Sequence, residues 1–205
     1  MIPSTSSGQA HSPGLVLASK SASRRAMLEA VGVAFEAQAA DLDERALEAG
    51  MVGSPPDAIA LALAEAKALA IPEADRLVLG SDSLVVVDGQ RFDKPADRAE
   101  AARHLRMFSG KVMHLHSAAA IARGGKIVWR QAAEARLHVR TVSDAFIDAY
   151  LDAEWPEVGY CVGVFRIEAR GPQLFEQIEG DQFTVLGMPL LPVLGALRDL
   201  GELPK

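Results

Sequence analysis

An α/β fold is predicted by the alternation of strand-like and helix-like segments along this chain of 205 residues. Apolar runs such as Leu15–Ala18 and Leu77–Leu79 are typical of buried strands, whereas the Ala- and Leu-rich stretch that ends at Ala70 has helical spacing. Hydrophobic residues make up 49% of the chain and charged residues 23%, which excludes a wholly disordered or collagen-like protein. At this length, folding buries roughly 70% of the unfolded surface, so a substantial core is expected.

The first predicted unit is a strand, a polar turn and a helix. Strand Leu15–Ala18 leads into a turn rich in Ser and Arg, and the apolar residues that follow at helical spacing end before Gly32. A loop that leaves a strand and opens a helix presents free N–H groups and the positive end of the helix dipole, which commonly bind phosphate. The loop contains Ser19, Ser21, Ser23, Arg24 and Arg25. The alternative is an ordinary capped surface helix with solvated arginines.

A second strand is predicted over Val33–Ala39, followed by an acidic loop that contains Glu44. Such a loop can supply a carboxylate to a divalent cation, or it is simply solvated. The next helix begins near Ser54–Asp57, ends at Ala70 and carries Lys67.

Asp82 interrupts an apolar strand region in the sequence. The strand Leu77–Leu79 is predicted to stop at Gly80–Ser83 and to resume over Leu84–Val87, which ends at a hairpin turn of Asp and Gly. An unpaired buried carboxylate costs several kcal/mol, so a functional Asp82 would be a general base or a metal ligand. A turn aspartate that bonds its own backbone is the alternative.

The remaining elements are predicted from periodicity and turn residues. They are a helix over 97–108, strands over 111–122 and 126–139, a helix from Ser143 to Leu151, a strand over 162–167, a short segment over 173–178 and a helix between Met188 and Leu200.

Charge and cysteine content limit the class of protein. The formal net charge is −6, so the chain lacks the overall basic field of a protein that binds duplex nucleic acid. Cys161 is the single cysteine and cannot form an intramolecular disulfide, which favours a cytoplasmic location. Residues 1–14 are rich in Ser, Gly and Pro and are expected to be a flexible leader to a single domain over 15–205. No apolar run is long enough to span a bilayer, so no membrane association is expected.

The order and spacing of several short blocks resemble the Maf family of nucleoside triphosphate pyrophosphatases, over Leu17 to about Leu200. The blocks are LASKSASRR from Leu17, Asp43-Glu44, AEAKA from Ala64, Gly80-Ser81-Asp82, Lys94-Pro95, Leu105 through Ser109-Gly110, and GMPL from Gly187. The resemblance implies a mixed central sheet flanked by helices, with two lobes around a nucleotide cleft.

The same resemblance implies hydrolysis of a nucleoside triphosphate between the α- and β-phosphates, with Mg²⁺ or Mn²⁺ as cofactor. It implies that Asp82 accepts the proton of the attacking water, and that Glu44 and Asp82 hold the cation. It further implies that the phosphates are bound by Ser19, Arg24, Lys67 and Lys94. This set is chemically consistent, because phosphoryl transfer depends mostly on positioning and charge neutralisation.

The stretch from Cys161 to Gly180 is similar to the subgroup that acts on 7-methyl-GTP, which has a glutamate at the position of Glu168. A carboxylate suits the cationic 7-methylguanine ring and its N–H donors. On this comparison Ser23, Ser83 and Glu168 are expected to select the base, although the subgroup has tryptophan and glutamine where this chain has the two serines.

Other functions stay open at this point. The substrate is dTTP or UTP in one alternative, and in another the protein is a nucleotide-binding regulator of cell division without significant catalysis. An unrelated sugar or phosphate enzyme on an α/β scaffold is a third. The oligomeric state is also open, with a homodimer among the options.

Overall fold

Seven strands form one central sheet, and helices flank it, in the computed structural model, which describes residues 14–205. The expected leader, residues 1–14, lies outside the described residues except for Gly14. The strands are β1 (Leu15–Ala18), β2 (Glu36–Ala37), β3 (Leu77–Val87), β4 (Gln90–Phe92), β5 (Val112–Arg123), β6 (Lys126–Val139) and β7 (Phe175–Glu179). The helices are α1 (Ala22–Ala30), α2 (Glu44–Ala49), α3 (Pro56–Leu69), α4 (Arg98–Phe108), α5 (Asp144–Glu154), α6 (Gln182–Val185) and α7 (Leu190–Asp199).

The sheet is mixed. Its strand order is β2-β1-β3-β5-β6-β7, and β4 pairs with the far end of β3. Strand β1 lies parallel to both β2 and β3, whereas the remaining pairs are antiparallel. The prediction of a mixed central sheet flanked by helices is therefore confirmed.

Two apolar clusters share the long strands, one at each end. Leu77 and Leu79 of β3 belong to the cluster that also contains Leu28 of α1, whereas Val85 and Val87 belong to the cluster that contains Phe108 of α4. Because alternate residues of a strand face the same side, the side chains between these pairs are Ser81 and Ser83. The middle of β3 is thus a polar segment, Ser81 and Ser83, between two apolar clusters.

Helix α3 lies directly against the opposite face of β3. Glycine at position 80 permits this approach, because a Cβ there would lie 2.1 Å from the Ala64 carbonyl oxygen and 2.6 Å from the Ala68 nitrogen. The contact places Lys67, in the last turn of α3, beside Asp82.

Four details differ from the sequence predictions. Strand β3 does not stop at Asp82 but runs unbroken, because β5 pairs with it from Val78 to Val87. Residues 162–167 form turns rather than a strand, since Gly163 and Val164 have φ angles of 82° and 58°. The second strand shortens to β2, and the acidic loop ends in the unpredicted helix α2.

Among residues 14–205, the helices are all too short or too polar to cross a membrane.

Candidate active site

A gap in strand pairing opens one edge of the sheet in the middle of β3. Strand β1 pairs with β3 only as far as Gly80, and β4 begins to pair with it at Val85. Residues 81–84 therefore have no strand partner on this edge within the described part of the chain. A cavity of about 1090 Å³ lies here, large enough for a nucleotide-sized ligand.

All the site residues predicted from the sequence lie on the wall of this one cavity, although they come from six separate segments of the chain. They are Ser19, Ser23, Arg24, Glu44, Lys67, Asp82, Ser83, Lys94 and Glu168.

The turn between β1 and α1 lines the cavity. Ser21 caps α1, and its side chain accepts the N–H of Arg24 at 3.4 Å. The Ser19 hydroxyl in turn accepts the N–H of Ser21 at 3.1 Å. These bonds fix the turn so that the N-terminus of α1 and the half-buried Ser23 line the cavity.

Arg24 is held by partners from across the sheet and from the segment before α7. Its Nε donates to the Gly187 carbonyl at 2.9 Å, one terminal nitrogen donates to the Ser83 hydroxyl at 3.1 Å, and the other to Ser19 at 3.4 Å. The guanidinium has more N–H donors than these acceptors use, so it can also bind an anion. Burial lowers the pKa of Arg24 and the charges of Asp82 and Glu44 oppose this, but an arginine stays cationic at neutral pH.

Asp82 is 7% exposed and forms the centre of the charged groups. The Lys67 ammonium lies 2.6 Å from its Oδ1 and 3.0 Å from the Glu44 carboxylate. Glu44 reaches this position because Asp43 caps α2, with its side chain accepting the Ala46 N–H at 2.9 Å. Two carboxylates therefore share one ammonium at the open edge of β3.

The donor set fits a divalent cation that is shared with a phosphate ligand. No group of three or more His, Cys, Asp or Glu side chains suited to a metal occurs among residues 14–205. However, Mg²⁺ is usually bound through one or two carboxylates together with water and substrate phosphates. Glu44 and Asp82 supply two such carboxylates around the point that the Lys67 ammonium occupies.

The Ser83 hydroxyl, on the cavity wall, is held by three polar neighbours. Besides accepting from Arg24, its hydroxyl lies 2.9 Å from that of Ser117 and donates to the Gly187 carbonyl at 3.0 Å. Ser117, on β5, is fully buried and donates to the Thr184 carbonyl. Ser83 thus connects Arg24 with the buried Ser117.

Lys94 and Glu168 line the same cavity and lie near Cys161. Burial raises the pKa of the Cys161 thiol; the Glu168 charge adds to this increase, and the Lys94 charge opposes it. The Glu168 carboxylate is 3.6 Å from Nε of Arg166. A terminal nitrogen of Arg166 lies 4.0 Å from the buried carboxylate of Glu154. Glu168 therefore faces the cavity with a positive neighbour.

Three groups at the site have no role in the sequence analysis. The Gly187 carbonyl lies in a block that carries the family resemblance, but a backbone acceptor leaves no side-chain signal. Ser117 has a weak signal, a single hydroxyl in a run of Ala and other apolar residues. Arg166 has a weak local signal, because Glu168 is two positions away, whereas its other partner, Glu154, ends helix α5.

Comparison with known proteins places these features in a family. The Maf-like protein family profile matches residues 14–200. A protein of Rhizobium meliloti (strain 1021) named 7-methyl-GTP pyrophosphatase is 47% identical over 195 residues, covering 93% of this chain and 98% of that one. A protein of Sphingopyxis alaskensis named nucleoside triphosphate pyrophosphatase is 47% identical over 198 residues, covering 93% and 99%.

A solved structure, a HAM1 protein from Coxiella burnetii, aligns with 61% of this chain and 72% of its own, with a TM-score of 0.39 and 14% identity. The family profile spans nearly the whole described chain, and the two relatives match this chain over almost their full lengths. This chain therefore belongs to the Maf family.

Proposed function

We propose that the protein is a nucleoside triphosphate pyrophosphatase with Asp82 as the general base. The products are a nucleoside monophosphate and inorganic diphosphate. The observation that carries the proposal is the meeting of Lys67 and Arg24 around a nearly buried Asp82 at the open edge of β3. Two cations on the wall of a cavity suit a polyanionic ligand, and an adjacent carboxylate suits the activation of water. The names of the two relatives support the same activity.

Phosphate binding is assigned to Ser19, Arg24, Lys67 and Lys94. Arg24 offers a fixed planar fork, because its other N–H groups are already anchored on Gly187 and Ser83. Lys67 bonds Asp82 when no phosphate is bound, and phosphate oxygens compete for the same ammonium. Substrate binding therefore frees the Asp82 carboxylate at the moment when a base is required.

Asp82 then takes a proton from a water molecule as the water oxygen bonds to the α-phosphorus. The bond between that phosphorus and the bridging oxygen of the α,β-anhydride breaks, and diphosphate leaves with the bonding electrons. Lys67 and Arg24 neutralise the charge that develops on the phosphate oxygens. Glu44 and Asp82 would hold the divalent cation, which supplies further charge neutralisation when bound.

We propose 7-methyl-GTP as the preferred substrate, with Ser23, Ser83 and Glu168 selecting the base. The exposed Glu168 carboxylate on the cavity wall suits a cationic base, and one relative is named for this substrate. Arg166 competes for the same carboxylate at 3.6 Å, and this pairing favours the alternative of a neutral base, as in dTTP or UTP.

A panel of canonical and 7-methylated nucleoside triphosphates tests the proposal, with Mg²⁺ and Mn²⁺ in separate series and diphosphate release as the readout. We expect 7-methyl-GTP to have the highest kcat/KM. Glu168→Gln is the matched variant, because it keeps the shape of the side chain and removes its charge; it should erase the preference for 7-methyl-GTP over GTP. A kcat/KM for 7-methyl-GTP no greater than that for dTTP or UTP would refute the base assignment. Saturable nucleotide binding without turnover would favour the alternative of a nucleotide-binding regulator without catalysis.

A further inference from the structure

We propose that Tyr160 is the stacking platform for the base of the bound nucleotide, an inference that rests on the proposed function. Tyr160 is 68% exposed, and it is the only exposed aromatic side chain among residues 14–205. It also lies on the wall of the cavity that contains Asp82. An aromatic ring that is left uncovered on the wall of a nucleotide-sized cavity is suited to stacking on a base.

The neighbouring aromatic rings are used in packing and are not free for this role. Phe165 also lines the cavity, but it is 5% exposed and packs edge-to-face on Phe175 with ring centroids 5.0 Å apart. Trp155 packs against the apolar cluster of α4 and lies over Gly159, where a Cβ would be 2.9 Å from its ring. Tyr160 has neither kind of partner.

The backbone that carries Tyr160 is fixed although the side chain is not covered. Tyr160 ends the 3₁₀ helix Glu157–Tyr160, whose Val158 is fully buried in the same apolar cluster. The N–H of Gly159 bonds the Pro156 carbonyl at 2.9 Å, and the N–H of Cys161 bonds the Val158 carbonyl at 3.2 Å. A platform held in this way loses little conformational entropy when a base stacks on it.

The charged groups near Tyr160 include a carboxylate, which suits a base, and an ammonium, which suits a phosphate. Cys161, the next residue, is close enough to both Glu168 and Lys94 for their charges to act on its thiol. A ring with Glu168 nearby suits a cationic base in particular, because the face of tyrosine attracts positive charge and the carboxylate accepts N–H groups from the edge of the base.

Binding of nucleoside monophosphates by calorimetry tests the inference without requiring turnover. The ligands are 7-methyl-GMP, GMP and ribose 5-phosphate, which has no base. We expect Tyr160→Ala to weaken the binding of 7-methyl-GMP about 5- to 150-fold, the range for loss of one base–aromatic stack. GMP should lose less, and ribose 5-phosphate should bind unchanged. Tyr160→Phe keeps the ring and should stay within about 2-fold of the wild type.

Equal binding of 7-methyl-GMP by the Ala variant and the wild type would overturn the inference. So would an equal loss for ribose 5-phosphate, or a wild type that binds 7-methyl-GMP no more tightly than ribose 5-phosphate. The proposed function fails separately, if the wild type binds 7-methyl-GMP through Tyr160 but releases no diphosphate from any triphosphate.

Discussion

Replacing Gly80 with alanine tests whether the contact between α3 and β3 positions the proposed catalytic groups, Lys67 and Asp82. The added Cβ would lie 2.1 Å from the Ala64 carbonyl oxygen, 2.6 Å from the Ala68 nitrogen and 3.1 Å from the Ala68 Cβ. Two of these three atoms belong to the backbone of α3 and cannot rotate away. The helix must therefore move outward by about 1 Å to reach ordinary contact distances.

Both stability and catalysis should fall. Overpacking typically costs about 1–3 kcal/mol, and we expect a loss near 3 kcal/mol because the obstacle is backbone. For a chain of this size, that loss lowers Tm by roughly 6–12 °C. The same movement draws Lys67 away from Asp82, where the two atoms are now 2.6 Å apart. A displacement of about 1 Å costs on the order of 10²-fold in rate.

The assays are urea denaturation and kcat/KM for the best substrate of the panel. Gly195→Ala is the control, because Gly195 lies in α7 and a Cβ there meets nothing within 4 Å. Alanine at that position should stabilise the protein by about 0.5–1 kcal/mol and leave turnover unchanged. A Gly80→Ala variant with wild-type stability and turnover would refute the role assigned to the close approach of α3.

Three further predictions concern single side chains. Arg24→Lys should lower kcat/KM about 10- to 100-fold, because an ammonium cannot replace the fork that spans three acceptors; wild-type kinetics would contradict this. Tyr150→Phe should cost about 1–3 kcal/mol in urea denaturation, because the buried Val164 carbonyl loses its 3.2 Å hydrogen bond from the tyrosine hydroxyl. Burial lowers the pKa of His116, so the folded protein binds fewer protons than the unfolded chain, and the free energy of unfolding falls as pH drops below about 6.5. His116→Gln should make this decline shallower between pH about 7 and about 5.5, and an unchanged decline would contradict the assignment.

Local signals were sufficient for most elements of the fold. Helix α3, the hairpin turn at Asp88 and Gly89 and the long strands β5 and β6 were predicted because their patterns depend on nearby residues. The continuity of β3 was not predicted, because the partners of its polar residues are distant in the sequence. Ser81 donates to the Ala118 carbonyl at 2.7 Å, and Lys67 neutralises Asp82, so neither polar residue ends the strand.

The candidate site was predictable to a different degree. The blocks that carry the family resemblance predicted a site of Ser19, Arg24, Lys67 and Asp82, and these residues line one cavity. Which group holds Arg24 in place could not be predicted, because the acceptor is a backbone carbonyl that lies 163 residues away at Gly187. The pairing of Arg166 with Glu168 is local in the sequence, but its geometry depends on turns where the sequence analysis predicted a strand.

The turnover of Asp82→Asn measures the central claim most directly. Asparagine keeps the size of the side chain and an oxygen for Lys67, so the variant should fold, with an unchanged circular dichroism spectrum, and still bind nucleotide. Without a carboxylate to accept the proton of water, diphosphate release should fall by about 10²- to 10⁴-fold. A folded variant that releases diphosphate within about 3-fold of the wild-type rate would show that Asp82 is not the base.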